Sequence, residues 1–436
     1  MLKSGRSYRV TSTNPREIVF DLLCRWERGG SPADDLLHVG LHQSTLPARD
    51  RALVTELFYG CLRQRAALDW LIAQKAERMP KPEIAVLARL GLYQLFFLDR
   101  VPAHAAVNST VELAKRTSSA RLGGFLNGLL RNAHRERPAL ASALQQQPLA
   151  VRCSHPEWLV TRWLARYGEA DTRALLDWNN RPPKLFARVN TLRTSAEALL
   201  AKWREAGVEA ELAGGASRSV PMIEVRAAES AERLPGFAEG EFYIQDPSTL
   251  LAVELMGAQP GERVLDACAA PGGKATCLAQ LMQDRGEIVA EDTSADRLKQ
   301  VVANCSRLGV ACVTVQQTRP ASSAETWFAR VLVDVPCSNT GVLRRRVDAR
   351  WRLRAEDIAR LAAEQLTLLQ TSARRVGRGG ALVYSTCSLE PEENRGVVEA
   401  FLKSNTEFAL DRCVETFPPR DAVDGSFAAK MVRSAA

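Results

Sequence analysis

Four short apolar segments follow one another in the second half of this chain, at residues 264–266, 287–290, 331–334 and 381–384, and apolar residues at helical spacing fill the gaps between them. Short strands without polar alternation are typical of a parallel sheet that helices cover on both faces. The pattern therefore predicts a doubly wound α/β domain over residues 240–436. In such a sheet, ligands bind beyond the carboxyl ends of the strands.

Two cysteines stand just beyond the last two of these segments. Cys337 comes shortly after Asp334 and Cys387 shortly after Tyr384, so both thiols are expected at one edge of the sheet. A lone buried cysteine is usually only a small apolar side chain, and that structural role stays open for the pair. Two thiols at strand ends, next to Ser and Pro, favour covalent chemistry.

The five histidines all lie at or before His155, so the C-terminal half has no imidazole for catalysis. This argues against Ser-His-Asp and Cys-His hydrolases there. A metal centre is not expected either, because the chain has no Cys-x-x-Cys pair and no histidine at ligand spacing from a cysteine pair.

The loop after the first apolar segment has the character of a nucleotide-binding loop. Its candidate ligand-binding residues are Cys268, Ala269, Ala270, Pro271, Gly272, Gly273 and Lys274. Small residues let the backbone approach a ligand, and a helix that begins there offers unpaired N–H groups. The spacing is neither Gly-x-Gly-x-x-Gly nor that of a P-loop. Asp292, after the next strand, can accept the ribose hydroxyls of an adenosyl cofactor. S-adenosylmethionine fits this pattern, and an NAD-type ligand remains the alternative.

The first part of the chain predicts a different fold. Residues 14–137 carry helical periodicity, with a nearly all-apolar helix over 84–98 at the centre of a bundle. A Gln-rich stretch before Pro148 indicates a linker. We therefore expect an all-α domain over residues 1–145, a small α+β module over 150–239, and then the α/β domain.

The small module is rich in aromatic and arginine side chains. They are Trp158, Trp163, Tyr167, Trp178, Arg162, Arg166, Arg181 and Arg188. Such a set can stack on and clamp single-stranded nucleic acid, although each tryptophan can equally be a core residue.

The composition favours a polyanionic partner, because 58 Lys and Arg residues stand against 50 Asp and Glu residues and give a net charge of +8. Ten cysteines without a leader-like segment predict a reducing, cytoplasmic location. No segment approaches the roughly 20 apolar residues that span a bilayer.

Four motifs in the C-terminal half resemble those of the RNA cytosine-C5 methyltransferases. They are Asp266-Ala-Cys-Ala-Ala-Pro-Gly-Gly-Lys274, Asp334-Val-Pro-Cys-Ser338, Thr340-Gly-Val-Leu-Arg-Arg345 and Ser385-Thr-Cys-Ser-Leu-Glu-Pro-Glu-Glu-Asn394. The helical part, with motifs at 56–63, 93–98 and 125–131, is similar to the NusB-type RNA-binding domain. The combination resembles the RsmB (Sun/Fmu) family of 16S rRNA cytosine-C5 methyltransferases over nearly the whole chain.

This resemblance implies a Rossmann-like, S-adenosyl-L-methionine-dependent methyltransferase domain. It assigns Cys387 as the nucleophile that attacks the cytosine and Cys337 as the base that assists release. Asp334 is expected to hydrogen-bond the base and to take part in cofactor binding. On the adenine side, where the family usually carries an acid, this chain has Gln317 and then Thr318, which is the candidate contact.

The resemblance also implies the partner: RNA, in the form of 16S rRNA or an assembling small ribosomal subunit, bound by a monomer. Family members usually have a small residue at the position of Asn339. Six arginines over residues 341–354 favour a phosphate-binding strip, and Lys274 or this run could supply positive charge to the thiols. A tRNA cytosine-C5 methyltransferase and a non-catalytic RNA-binding assembly factor remain the alternatives.

Overall fold

The computed structural model describes residues 12–117, 120–214, 219–226, 230–318 and 327–435, and the statements below concern these residues. The first 11 residues of the predicted all-α domain lie outside them. The chain divides into two compact units. Unit 1 comprises Met1–Arg181 and Leu343–Arg352, and unit 2 comprises Pro182–Val342 and Leu353–Ala436.

Unit 1 is helical. Its helices up to Arg181 are α1 (Pro15–Glu27), α2 (Ala33–His42), α3 (Ala48–Arg63), α4 (Arg65–Ala73), α5 (Pro82–Phe96), α6 (Ala103–Thr117), α7 (Ala120–Arg135), α8 (Arg137–Gln145), α9 (Leu149–Arg152) and α10 (Glu157–Asn180). Helix α5 is buried continuously from Ile84 to Leu95, as expected for an apolar helix at the centre of a bundle. The prediction of a bundle around this helix is confirmed.

Helix α10 carries most of the aromatic residues that could have stacked on nucleic acid. Trp163 is fully buried in the core, which excludes it from stacking on RNA. Arg166 lies over the Tyr167 ring at 4.7 Å. Gly168 interrupts the helix with φ +74°, a conformation that glycine adopts without strain.

Unit 2 begins with a small antiparallel sheet. Its elements are β1 (Leu185–Val189), α11 (Ala196–Glu205), β2 (Ala210–Leu212), β3 (Met222–Val225) and β4 (Phe242–Ile244), in the strand order β2-β3-β1-β4. The predicted strand and helix of this module are both present. Arg188, however, is only 1% exposed, so the expectation that it clamps nucleic acid is wrong. It bonds instead to Gln245, Thr276 and the Gly273 carbonyl inside unit 2.

The remaining elements comprise the strands of the large sheet and the helices between them, and all but the short helix Ala349–Arg352 belong to unit 2. In chain order they are α12 (Leu250–Met256), β5 (Arg263–Asp266), α13 (Gly273–Leu281), β6 (Glu287–Asp292), α14 (Ala295–Leu308), β7 (Val313–Gln317), β8 (Phe328–Asp334), α15 (Ala349–Arg352, in unit 1), α16 (Ala355–Ala373), β9 (Val376–Thr386), α17 (Arg395–Ser404), β10 (Phe408–Thr416), α18 (Pro418–Asp421) and β11 (Ser426–Arg433). Strands β5 to β11 form a seven-stranded sheet in the order β10-β11-β9-β8-β5-β6-β7.

The four predicted strands are β5, β6, β8 and β9, and they pair in parallel. The chain runs from β5 outward through β6 to β7 and then crosses back to β8 on the other side of β5. This reversal is the switch point at which open α/β sheets bind ligands. The predicted Rossmann-like fold is confirmed. Strands β10 and β11 extend the sheet in antiparallel fashion.

The arginine-rich segment after the active-site motifs belongs to unit 1. Arg344 is 3% exposed and stacks on Trp178 at 4.1 Å, and Arg350 is fully buried. Asp348 accepts hydrogen bonds from the Trp26 indole and the Ala33 backbone. The expectation of a phosphate-binding strip is therefore wrong for Arg344 and Arg350, whose guanidinium groups serve packing within unit 1.

Arg350 holds this segment in unit 1, and none of its partners among the described residues is a carboxylate. Its guanidinium donates to the carbonyls of Ser154, Asn179 and Leu343 and to the side chain of Asn180. Burial lowers the pKa of Arg350 to about 9. The group is still cationic at neutral pH, and its charge is balanced by carbonyl dipoles.

We predict that Arg350→Ala lowers the free energy of unfolding by about 3 kcal/mol, because several buried acceptors lose a charged donor. The matched control is Arg346→Ala, since Arg346 is half exposed in an ion pair with Asp34 and should change stability by less than about 1 kcal/mol. Urea-induced unfolding measures both variants. Equal losses would contradict the role given to Arg350.

Candidate active site

The site forms where β5, β8 and β9 end. Asp266 closes β5, Asp334 closes β8, and Cys387 directly follows β9. Strand β8 pairs with β9 so that Asp334 lies opposite Ser385. This register brings two segments that are 50 residues apart in sequence to one edge of the sheet, as the sequence predicted.

Asp334 is held from two sides. Lys274 Nζ, from the first turn of α13, lies 2.6 Å from Asp334 Oδ2, and Ser385 Oγ donates to Oδ1 at 2.7 Å. Burial alone would lower the pKa of Lys274, but the charge of Asp334 and the hydrogen bond to it raise that pKa, with a smaller contribution from Cys387. Lys274 is therefore an ammonium group close to the thiols.

The two cysteines meet. Their sulfur atoms lie 3.1 Å apart, and both residues are partly accessible. The hydrogen bond with Cys387, together with burial, raises the pKa of Cys337 well above its usual value. Cys337 is therefore held as a thiol while it is hydrogen-bonded to Cys387.

Asn339 joins both cysteine loops. It has φ +61°, a left-handed conformation that Gly and Asn tolerate best. This explains why a small residue or asparagine follows Pro-Cys-Ser. Its Nδ2 donates to the Cys337 carbonyl at 2.8 Å, and its Oδ1 lies 3.3 Å from Cys387 Sγ. The sequence shows Asn339 only as an unusual residue in the motif.

A buried polar layer supports the cysteines, and sequence reasoning did not assign it. Its centre is Glu393, which is fully buried and bonds to the segments after both cysteines. Gly341 belongs to the same layer, since a Cβ there would lie 2.7 Å from the Cys387 carbonyl and 2.6 Å from the Gly425 carbonyl. The signal available in the sequence was the Glu-Pro-Glu-Glu-Asn run after Cys387.

The predicted cofactor loop lies between β5 and α13, beside Asp334. Gly272 occupies the N-cap of α13 with φ +103°, a backbone conformation that favours glycine. The loop carbonyls are bonded by side chains from neighbouring elements: Arg297 to Ala270, Asn304 to Pro271 and Arg188 to Gly273. The loop is thus held in place by the protein itself, which lowers the entropic cost of binding a ligand.

Asp266, near this loop, is a buried carboxylate whose hydrogen-bonding capacity is not used by the described part of the chain. It is 1% exposed, and neither carboxylate oxygen has a hydrogen-bonding partner among the described residues. Burial, and then the like charge of Asp334, raise the Asp266 pKa to about 7, while the charge of Lys274 and, to a smaller extent, the nearby Cys268 N–H oppose the rise. A buried carboxylate of this kind fits a ligand that brings a cationic or hydrogen-bond-donating group.

On the other side of the loop, Asp292 ends β6 and is 4% exposed. Its Oδ1 accepts from the Ser294 N–H at 2.9 Å, and Arg297 lies 3.4 Å from Oδ2. The Thr318 N–H bonds to the Asp292 carbonyl, whereas the Gln317 amide donates to the Thr293 carbonyl. Thr318 is therefore beside Asp292, and Gln317 is engaged with the backbone.

We predict that Asp266→Asn stabilises the ligand-free protein at pH 8. A carboxyl whose pKa is raised on folding costs stability above that pKa, and the cost shrinks as the pH falls toward the unfolded value. The gain in melting temperature should therefore be largest above pH 7 and smaller at pH 5, with an upper limit of about 4 kcal/mol at high pH.

The control for this comparison is Asp296→Asn, because the Asp296 side chain is 88% exposed. Its melting temperature should follow the wild type at both pH values in thermal scans. A lower melting temperature of Asp266→Asn than of the wild type at pH 8 would mean that the charge of Asp266 stabilises the fold.

Two further observations concern metal ions and membranes. Within the described ranges, no group of three or more His, Cys, Asp or Glu residues could hold a metal ion. Nor does any helix of the described chain have the length and apolar character needed to cross a membrane. The candidate site contains two thiols, a Lys–Asp pair and a cofactor-type loop.

Comparison with protein families matches three parts of the chain. The model for the 16S rRNA methyltransferase RsmB/F covers residues 253–432, the NusB family model covers 13–135, and the RsmF/B-like ferredoxin-like domain covers 155–222. The probable ribosomal RNA small subunit methyltransferase B of Bacillus subtilis is 34% identical over 93% of this chain and 92% of its own. The chain belongs to the RsmB/F methyltransferase family.

Further similarity supports the same assignment over the full length. A probable ribosomal RNA small subunit methyltransferase B from Synechocystis sp. is 36% identical, over 92% of each chain. The crystal structure of PH0851 covers 96% of this methyltransferase and 99% of its own chain, with 24% identity and a TM-score of 0.79. At that identity the likeness shows the fold alone. The NusB-type and methyltransferase resemblances seen in the sequence are confirmed.

Proposed function

We propose that this methyltransferase transfers a methyl group from S-adenosyl-L-methionine to C5 of a cytosine in 16S rRNA through a covalent cysteine–cytosine adduct. The observation that carries the proposal is the pair of sulfur atoms 3.1 Å apart, beside a Lys274–Asp334 ion pair. Membership of the RsmB/F family supports the methyl transfer and the RNA substrate.

The cofactor residues fit the donor. The loop residues Cys268, Ala269, Ala270, Pro271, Gly272, Gly273 and Lys274, together with Asp292, Thr318 and Asp334, would hold it. Asp292 would accept ribose hydroxyls, and the unsatisfied carboxylate of Asp266 suits its ammonium group. When bound, S-adenosylmethionine supplies an electrophilic methyl group.

Cys387 is proposed as the nucleophile because cytosine C5 is too electron-poor to take a methyl group unaided. After Cys387 loses its proton, the thiolate adds to C6 and turns C5 into an enamine-like carbon. The Lys274 ammonium supplies positive charge beside the site of attack. Asp334 would accept a hydrogen bond from the N4 amino group of the base and, when N3 is protonated in the adduct, from N3–H, since each of its oxygens has a lone pair beyond the bonds to Lys274 and Ser385.

Cys337 is proposed as the base that takes the C5 proton before the C6–S bond breaks. Its pKa is raised chiefly by the hydrogen bond with Cys387. Once the Cys387 sulfur is bonded to carbon as a neutral thioether, the chief cause of this rise is weakened, whereas burial remains. In the proposed release step Cys337 passes its proton to solvent and takes the C5 proton as a thiolate.

The substrate must expose the target carbon. Stacked bases hide it, so the cytosine has to be unstacked to enter the site. Ribosomal RNA is favoured over tRNA because the relatives that match over most of this chain are small-subunit rRNA methyltransferases by name. We also propose a monomer that acts in the cytoplasm, where its ten free thiols persist.

Two single variants separate the roles of the cysteines. Cys387→Ala should abolish methyl transfer and form no RNA adduct, whereas Cys337→Ala should accumulate an adduct that survives denaturing electrophoresis. Each should lower turnover by at least about 10²-fold, the lower range for a lost proton-transfer group. Cys413→Ala is the control, since Cys413 lies on β10.

An adduct in the Cys387→Ala variant would disprove the assignment of the nucleophile, and normal turnover by Cys337→Ala would remove its role in release. The Cys337→Ala/Cys387→Ala double variant should form no adduct, and an adduct in it would also disprove the assignment of the nucleophile.

The substrate class is tested by bisulfite sequencing of total RNA from a strain that lacks this chain. We expect the loss of one 5-methylcytosine in 16S rRNA, restored by the wild-type protein and not by Cys387→Ala. Loss confined to a tRNA would instead support the transfer RNA alternative, and no loss would favour a non-catalytic assembly factor.

A further inference from the structure

One buried carboxylate connects the two catalytic loops. Glu393 Oε1 accepts from the Ser338 N–H at 2.9 Å, and Glu393 Oε2 accepts from Ser388 Oγ at 2.5 Å. Ser338 directly follows Cys337, and Ser388 directly follows Cys387. The residue after each cysteine is therefore fixed to the same side chain.

The connection is reinforced by a small hydroxyl cluster. Ser338 Oγ lies 3.0 Å from Ser388 Oγ, and Thr340 Oγ1 lies 3.3 Å from both. Thr340 in turn accepts from the Leu389 N–H at 2.9 Å. All these groups are buried, so water does not compete for their hydrogen bonds.

Glu393 is itself held in one position. Its Oε1 also accepts from Gln365 Nε2 at 2.8 Å, and its backbone carbonyl accepts from the Tyr384 hydroxyl at 2.5 Å. The side chain is fully buried. A buried carboxylate that accepts several hydrogen bonds is satisfied and rigid, and removing it would leave several donors unpaired.

We propose that Glu393 is a positioning residue that sets the separation of the Cys337 and Cys387 sulfur atoms by binding the segments behind both of them. The proposal rests on the cysteine roles given above for its meaning in catalysis, although the geometry can be tested without catalysis. Glu393 does not touch the reacting atoms. Glu393 keeps the Cys337 sulfur, the proposed base, close to the Cys387 sulfur that attacks the cytosine.

The shape of the side chain distinguishes this role from a purely electrostatic one. Glutamine has the same length, and its Oε1 can accept from Ser338 and Gln365 while its Nε2 donates to Ser388 Oγ. Aspartate keeps the charge but is one methylene shorter, so it cannot reach both loops. If Glu393 acts by positioning the two loops, Glu393→Gln should keep the separation of the sulfur atoms and Glu393→Asp should not.

The test measures how fast the two thiols close into a disulfide with diamide. In this reaction the thiols lose two protons and two electrons, one S–S bond forms, and the azo group of diamide is reduced to a hydrazine. Peptide mapping without reduction identifies the Cys337–Cys387 link among the ten cysteines. This rate depends on the separation of the sulfur atoms and needs neither RNA nor methyl donor.

We expect Glu393→Asp and Glu393→Ala to slow disulfide closure and methyl-transfer kcat by on the order of 10- to 100-fold, in keeping with the cost of a displacement near 1 Å. The KM for S-adenosylmethionine should change little. Glu393→Gln should restore both rates to within about threefold of the wild type. The neighbouring Glu392→Asp, at an exposed position, is the matched control and should behave as wild type.

A folded Glu393→Asp protein with wild-type closure would overturn the proposal, and so would the reversed pattern in which Asp is tolerated and Gln is not. If Glu393→Ala fails to fold, the Asp and Gln variants still decide, with circular dichroism to establish folding. Failure of the proposed function appears differently, as a wild-type protein that closes the disulfide normally and transfers no methyl group to RNA.

Discussion

The parallel pairing of β8 with β9 is the constraint on which the active site depends. With Asp334 opposite Ser385, the two strands end at the same level of the sheet. The loops that follow then bring two sulfur atoms to 3.1 Å. A shift of β9 by one residue would turn every one of its side chains to the other face of the sheet. The hydrogen bond between Ser385 and Asp334 would then be lost, and the cysteines would no longer face each other.

The contact between the sulfurs also affects the chemistry of the site. Cys337 and Cys387 both follow strands of the parallel sheet, and both are partly accessible. The hydrogen bond with Cys387, and then burial, raise the pKa of Cys337, with a smaller contribution from the charge of Glu393. The separate roles proposed for the two thiols require no histidine.

Much of this could be predicted from sequence because it depends on local patterns. The parallel strands follow from short apolar runs, and the cofactor loop follows from small residues before α13. The burial of Arg344 and Arg350 could not be predicted, because six arginines in a short segment are typical of an exposed surface. Only the folded structure shows which acceptors they bind. Arg350 finds carbonyls and Arg188 finds the N-terminus of α13, contacts that join residues more than 80 positions apart. The role of Glu393 was equally hidden, since it depends on two loops meeting in space.

The proposed reaction of these residues is the transfer of a methyl group to C5 of cytosine. The most direct measurement incubates the wild-type protein with unmethylated 16S rRNA and S-adenosylmethionine that carries a trideuterated methyl group, and then identifies the labelled nucleoside by mass spectrometry against standards. The account predicts 5-methylcytidine that carries the label. Label found in N4-methylcytidine or in another nucleoside, or no label in RNA at all, would contradict it.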